Sequence, residues 1–290
     1  MTYRIIADAS ADIDAVFCQK YEIPILPMSY SIGDEMRECR QMEEDALLRK
    51  FYEQQKTGAV TRTTQITPFL YEELIEPYLR DGVSVLYLAL SSGLSATVDS
   101  ARQAAAALKE KYPAADFVVV DTLAATGGIG ILAERAVRNQ LKGLSLEENR
   151  DDLNEAVKRL HHWFLVDDLM YLKRGGRVSA STAIVGTVLS VKPILIIAPD
   201  DTLVTIDKAR GTHAAVRKLL ENYEKNCTGN PEDVVYICHA AADLTAEMLT
   251  AGIRRITPGV TIRRRLMSPI IGAHTGPGMA SIIHLGKPAE

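Results

Sequence analysis

Short apolar runs alternate with longer helical patterns through the first half of the chain. Tyr3 to Asp8 (YRIIAD), Tyr21 to Ile32 (YEIPILPMSYSI), Gly82 to Leu90 (GVSVLYLAL) and Asp116 to Asp121 (DFVVVD) read as strands. Between them, QMEEDALLRKFYEQQ, TPFLYEELIEPYLRDG and TVDSARQAAAALKEKY carry apolar residues at helical spacing. Thr67-Pro68 marks a helix start, because proline at the first helical position gives up an N–H that has no partner there anyway. Strands alternating with helices predict βαβ units and a mostly parallel sheet. Two consecutive helices then meet at KGLSLEE, where Ser145 and Glu148 have capping-box spacing. Beyond Trp163 hairpin and strand signals dominate, and ILIIAPDDTLVTID reads as a hairpin turning at Pro199-Asp200-Asp201. The expected architecture is α/β in two domains: a mostly parallel α/β domain over residues 1–158 and an α+β domain over residues 159–290.

A chain of 290 residues suits two cores, and 47% hydrophobic with 24% charged residues is ordinary for a globular protein. The net charge of -4 gives no electrostatic reason to expect nucleic acid. The basic stretch RRITPGVTIRRR reads as a solvated strand face. No apolar run reaches the ~20 residues that span a bilayer, so no membrane insertion is expected. Cys18, Cys39, Cys227 and Cys238 are far apart with no CxxC pair, and no charged and apolar signal segment precedes the first strand. A cytoplasmic location with reduced thiols is expected. GxxxxGK[ST], HExxH and GxSxG are absent, and the GxGxxA match in GGIGILA does not directly follow a strand. His161-His162 reads as a helix end, where a dipole role fits better than metal binding. No cofactor, no metal and no catalytic machinery are expected.

Hydroxyls crowd several junctions: Ser91, Ser92, Ser95 and Thr97 in LSSGLSAT, and Thr61, Thr63, Thr64 and Thr67 in TRTTQITP. One hydroxyl caps a helix. The surplus points to an anion or carboxylate at a helix N-terminus, where N–H groups carry partial positive charge, or to a nucleophile. With no lysine or arginine inside LSSGLSAT, a singly charged or neutral ligand fits better than a polyphosphate. Arg174 to Arg177 form a basic glycine turn, followed by a helix from Thr182 that is apolar almost all round. Such a helix is either buried core or the wall of a ligand pocket. His274 reads as a loop residue, site or structural, among Gly272, Gly276 and Gly278 that allow close backbone approach.

Five stretches occur in the order typical of one family: ADASADI, TTQITP, SSGLSAT, YLKRGGRVS with VGTVLSVKPIL, and IGAHTGPG. On them the chain resembles, from about Tyr3 to Leu285, the DegV family of bacterial fatty-acid-binding proteins, which includes the FakB-type subunits of fatty acid kinase. The resemblance implies a lipid-binding protein, not an enzyme, that encloses a long-chain fatty acid between two domains. It implies that Thr63 and Ser95 hold the carboxylate, with Thr64, Ser91, Ser92, Arg177 and His274 nearby. Ile184, Val185, Val188 and Leu189 of the apolar helix would line the acyl tunnel. In kinase-linked members a separate ATP-dependent subunit phosphorylates the bound acid, and Lys208 and Arg210 are candidates for docking it. Thr64, Ile66 and Ala96 depart from the family's usual serine, proline and glycine. The rival reading is a serine-dependent acyl hydrolase or acyltransferase, with Ser95 as nucleophile and His274 as base.

Overall fold

The computed structural model describes residues 3–40, 45–179 and 190–288. Its strands, in chain order, are β1 (Tyr3–Asp8), β2 (Ile25–Leu26), β3 (Met28–Ile32), β4 (Glu35–Cys39), β5 (Thr61–Thr64), β6 (Ser84–Ala89), β7 (Phe117–Asp121), β8 (Leu160–Leu165), β9 (Val191–Ile197), β10 (Leu203–Arg210), β11 (Val234–His239), β12 (Thr261–Leu266) and β13 (Ala280–Leu285). The described helices are α1 (Ala15–Lys20), α2 (Asp45–Lys56), α3 (Pro68–Arg80), α4 (Thr97–Lys111), α5 (Gly127–Leu141), α6 (Leu146–Val157), α7 (Met170–Arg174), α8 (Thr212–Asn226), α9 (Asp243–Ile256) and α10 (Pro269–Thr275).

The first sheet is parallel, in the order β2-β1-β6-β7. β6 is buried along nearly its whole length, as a strand covered by helices on both faces must be. The second sheet runs β10-β9-β8-β13-β11-β12 and is antiparallel except for the β11–β12 pair. This is the expected α/β architecture: a parallel sheet followed by a mixed one. A small antiparallel sheet, β4-β3-β5, lies beside them.

Helix α5 lies between the two large sheets. A side chain at Gly127 or Gly130 would come within 2.4 or 2.9 Å of the Tyr236 ring on β11. The glycines of GGIGILA therefore serve close helix–sheet packing rather than a dinucleotide phosphate. The Tyr236 hydroxyl donates to Glu134 of the same helix at 2.8 Å. Local capping follows the sequence: Thr67 accepts from the Leu70 N–H at 3.3 Å, and Ser145 and Glu148 form the complete capping box.

Four features differ from the sequence reading. The run from Tyr21 to Ile32 is two strands, because Pro27 lacks the N–H a continuous ladder needs. Thr61 to Thr64 form β5 rather than a helix approach, pairing with Ser29 to Ile32. His161 and His162 lie inside β8, not at a helix end, since α6 stops at Val157 and the strand begins at Leu160. His274 belongs to α10, not to a loop. Ser268 precedes that helix in extended conformation, Pro269 occupies its first turn and Gly276, at φ 72°, ends it. The basic strand β12 is neutralised residue by residue: Arg263 on Glu134, Arg264 on Asp243 and Arg265 on Asp14. Among the described residues, no helix is long and apolar enough to cross a membrane.

Candidate functional site

A cavity of about 200 Å³ lies between the parallel sheet and the mixed sheet. Its floor is one face of the mixed sheet: Phe164 and His162 of β8 sit opposite Ser281 and Ile283 of β13, and Ile197 and Leu203 continue it across the hairpin. Met28, Leu90, Leu94, Leu172, Ile270, Ile271 and Met279 supply most of the remaining apolar wall. Such a wall binds by removing apolar surface from water and imposes no direction on its ligand.

Direction comes from a polar group of residues: Thr63, Thr64, Gln65, Ser95, Arg177 and His274 all line the cavity. Thr63, on β5, and His274, on α10, share a hydrogen bond of 2.8 Å between Oγ1 and Nε2. Burial, reinforced by the Arg177 charge, holds His274 down to about 4, so the imidazole is neutral at neutral pH. The ring needs room: a side chain at Gly175 would come within 2.4 Å of His274 Nδ1. Gly176 turns the chain at φ 75°, and Arg177 follows.

Arg177 donates through Nε and Nη2 to the Leu94 carbonyl at 3.0 and 2.9 Å, and through Nη1 to the Gly175 carbonyl. Among the described residues these bonds bring it no carboxylate. Burial also lowers its pKa, which marks an environment that taxes its charge. Ser95 Oγ lies 2.6 Å from Thr97 Oγ1 and accepts from the Thr97 N–H at 3.3 Å, just before α4. The helix's N-cap position is Ala96, which offers no side-chain bond, and Ser95 one residue earlier receives the Thr97 N–H instead.

Two expected neighbours are placed elsewhere. Ser91 and Ser92 do not line the cavity; both hydroxyls donate to Asp201 at the tip of the β9–β10 turn. Thr64 is exposed at the cavity's edge. Ile184, Val185, Val188 and Leu189 lie outside the described residues. The cavity floor is not legible in the sequence, because β8, β9 and β13 carry no apolar–polar alternation to mark the face that meets the cavity. Asp201 read only as a turn residue, and nothing local ties it to a loop more than a hundred residues away.

The geometry gives no support to a serine triad. The His274 Nε2 is bonded to Thr63, Ser95 is bonded to Thr97, and the charge beside the histidine is a guanidinium rather than an orienting carboxylate.

A family model described as "Uncharacterised protein, DegV family" matches residues 2–287. A DegV domain-containing protein of Clostridium perfringens is 34% identical over 288 residues, covering 99% of each chain. A DegV lipid binding protein of Thermotoga maritima has a similar structure, with TM-score 0.84, 26% identity and full coverage of both chains. A second Thermotoga maritima protein, whose structure reveals fatty acid binding function, matches at TM-score 0.83 and 26% identity over 99% of both chains. The order of the motifs, the parallel and mixed sheets and these likenesses agree, and the chain belongs to the DegV family.

Proposed function

We propose that this protein binds a long-chain fatty acid and acts as a carrier, with no chemistry of its own. The carboxylate sits among Thr63, Ser95, His274 and Arg177, and the acyl chain fills the apolar cavity between the sheets. The observation that carries this reading is the Arg177 guanidinium, partly buried at the polar side of an apolar cavity, whose hydrogen bonds among the described residues all go to carbonyls. A desolvated cation calls for an anion, and one carboxylate on an apolar tail satisfies both the cation and the wall. Hydroxyls that rotate and a neutral imidazole can add hydrogen bonds without adding charge. The lipid-binding and fatty-acid-binding relatives from Thermotoga maritima support the same ligand class.

Presentation of the bound acid to a kinase subunit extends the reading. Lys208 and Arg210 are both exposed on β10, where such a subunit could reach them.

Native mass spectrometry of the purified full chain tests the binding. A co-purified C14 to C18 acid is expected, together with its loss and reloading after delipidation. A chain that carries no acid and gains none when offered palmitate refutes the proposal.

A further inference from the structure

The tip of the β9–β10 hairpin is held by the loop that presents Ser95. Asp201 sits at that tip with φ 67°, yet only 8% of its surface is exposed, unusual for a carboxylate at the end of a hairpin. Its carboxylate accepts from the Ser91 hydroxyl, from the Ser92 hydroxyl at 3.0 Å and from the Gly93 N–H. The approach is close enough to exclude any other residue at Gly93, whose added Cβ would lie 2.1 Å from the Asp201 carbonyl. Both sides of this contact belong to the cavity wall. Ile197 and Leu203, paired at the base of the turn, line it from the hairpin, and Leu94 and Ser95 line it from the loop.

We propose that Asp201 is a latch governing fatty-acid exchange: while its carboxylate is held by Ser91, Ser92 and Gly93 the seam between the hairpin and the Ser95 loop is closed, and release of the hairpin tip opens it. The inference rests on the fatty-acid reading above. Its physical basis is the kind of bond used. Three neutral donors hold the carboxylate well inside the protein, but water solvates a carboxylate equally readily once the tip lifts. An apolar seam would lose far more on exposure, so this contact is suited to reversible opening. β10 is the outer strand of its sheet and the β8–β9 pairs reach only as far as Leu195, so the tip beyond it can lift without breaking a ladder to the rest of the sheet.

The test uses the delipidated full chain and palmitate, with association and release followed by stopped flow. Asp201→Asn and Asp201→Ala weaken bonds of a type whose loss corresponds to about a 10- to 100-fold change in an equilibrium. Both association and release are therefore expected to accelerate by about that factor, while Kd moves less than about threefold. Faster release at an unchanged association rate would mark an ordinary lost contact and overturn the latch, as would unchanged rates. Ser92→Ala removes one exposed donor and is the fallback if the Asp201 variants do not fold; it should accelerate both rates by a smaller factor. If wild-type protein fails to bind palmitate, the functional reading falls first. Hydrogen exchange of the ligand-free chain then decides the latch: Asp201→Ala should raise exchange in residues 90–96 and 196–204 selectively. A uniform rise, or none, overturns it.

Discussion

Replacing Thr63 by Val removes one hydroxyl while keeping the branched shape that suits a strand. It takes away a proposed donor to the carboxylate and leaves His274 Nε2 without its 2.8 Å partner. A hydrogen bond to a charged group is worth about 1.5–3 kcal/mol, so Kd should weaken about 10- to 150-fold. The acyl chain contributes separately, at about 0.8 kcal/mol per buried methylene, or roughly fourfold in affinity for each carbon. The two contributions predict a distinctive pattern. Plotted against chain length from C10 to C16, log Kd for the variant should run parallel to wild type, displaced by a constant. Isothermal titration of delipidated protein measures both lines, and circular dichroism confirms the fold. Coincident lines would refute the placement of the carboxylate at Thr63. A changed slope would show that the substitution had altered the acyl cavity instead.

Three further outcomes are expected. Gly175→Ala should displace the His274 ring, because the new methyl would lie 2.4 Å from Nδ1, and should weaken binding more than it lowers Tm; the reverse order would refute the packing argument. Ile197→Trp should narrow the cavity and shift preference toward shorter acids, at an overpacking cost of about 1–3 kcal/mol, read by comparing C12 with C16. Acidification should destabilise the fold, because burial depresses His162 and His284 to about 3 and His239 and His274 to about 4, so between pH 6.5 and 4 the unfolded chain takes up protons that the folded chain refuses. Asp12, raised to about 7 by burial, and Asp8, also raised by burial, act in the opposite sense, but the four histidines outnumber the two carboxyls. Urea unfolding at pH 7, 6, 5 and 4.5 should show stability falling by up to about 1.4 kcal/mol per pH unit for each net proton; a flat profile would refute the sign.

Much of the fold was legible because its signals are local. The continuous apolar run VSVLYLA, the proline after Thr67 and the Ser145–Glu148 box each act within a few residues. Errors arose where local chemistry admits two conformations. A run of threonines suits both a strand and a helix approach, and only the ladder to β3 makes Thr61 to Thr64 a strand. His274 was misplaced although Ser-Pro at one end and Gly at the other mark the limits of a helix. Thr63, Thr64, Ser95, Arg177 and His274 stand in motifs, but His162 and Ser281 of the floor do not, and no motif shows which of them pair. Thr63 and His274 meet only through the packing of β5 against α10, 211 residues apart. Ser91 and Ser92 are the converse case: the stretch was noticed, but its partner Asp201 lies on the other sheet's hairpin.

Helix α5 constrains how such a molecule can move. With Tyr236 seated between Gly127 and Gly130, and its hydroxyl tied to Glu134, the two sheets share a pinned axle rather than a sliding seam. Swinging the sheets apart as rigid halves would pull the ring from its socket, expose it to water and break its bond to Glu134, so large-scale gaping is costly while the fold is intact. Compliance must reside at the rim, farthest from the axle, where a two-stranded edge can bend without unpacking the middle. Heat should therefore melt both sheets in one transition, while ligand traffic proceeds through the rim of a body that stays folded at its centre.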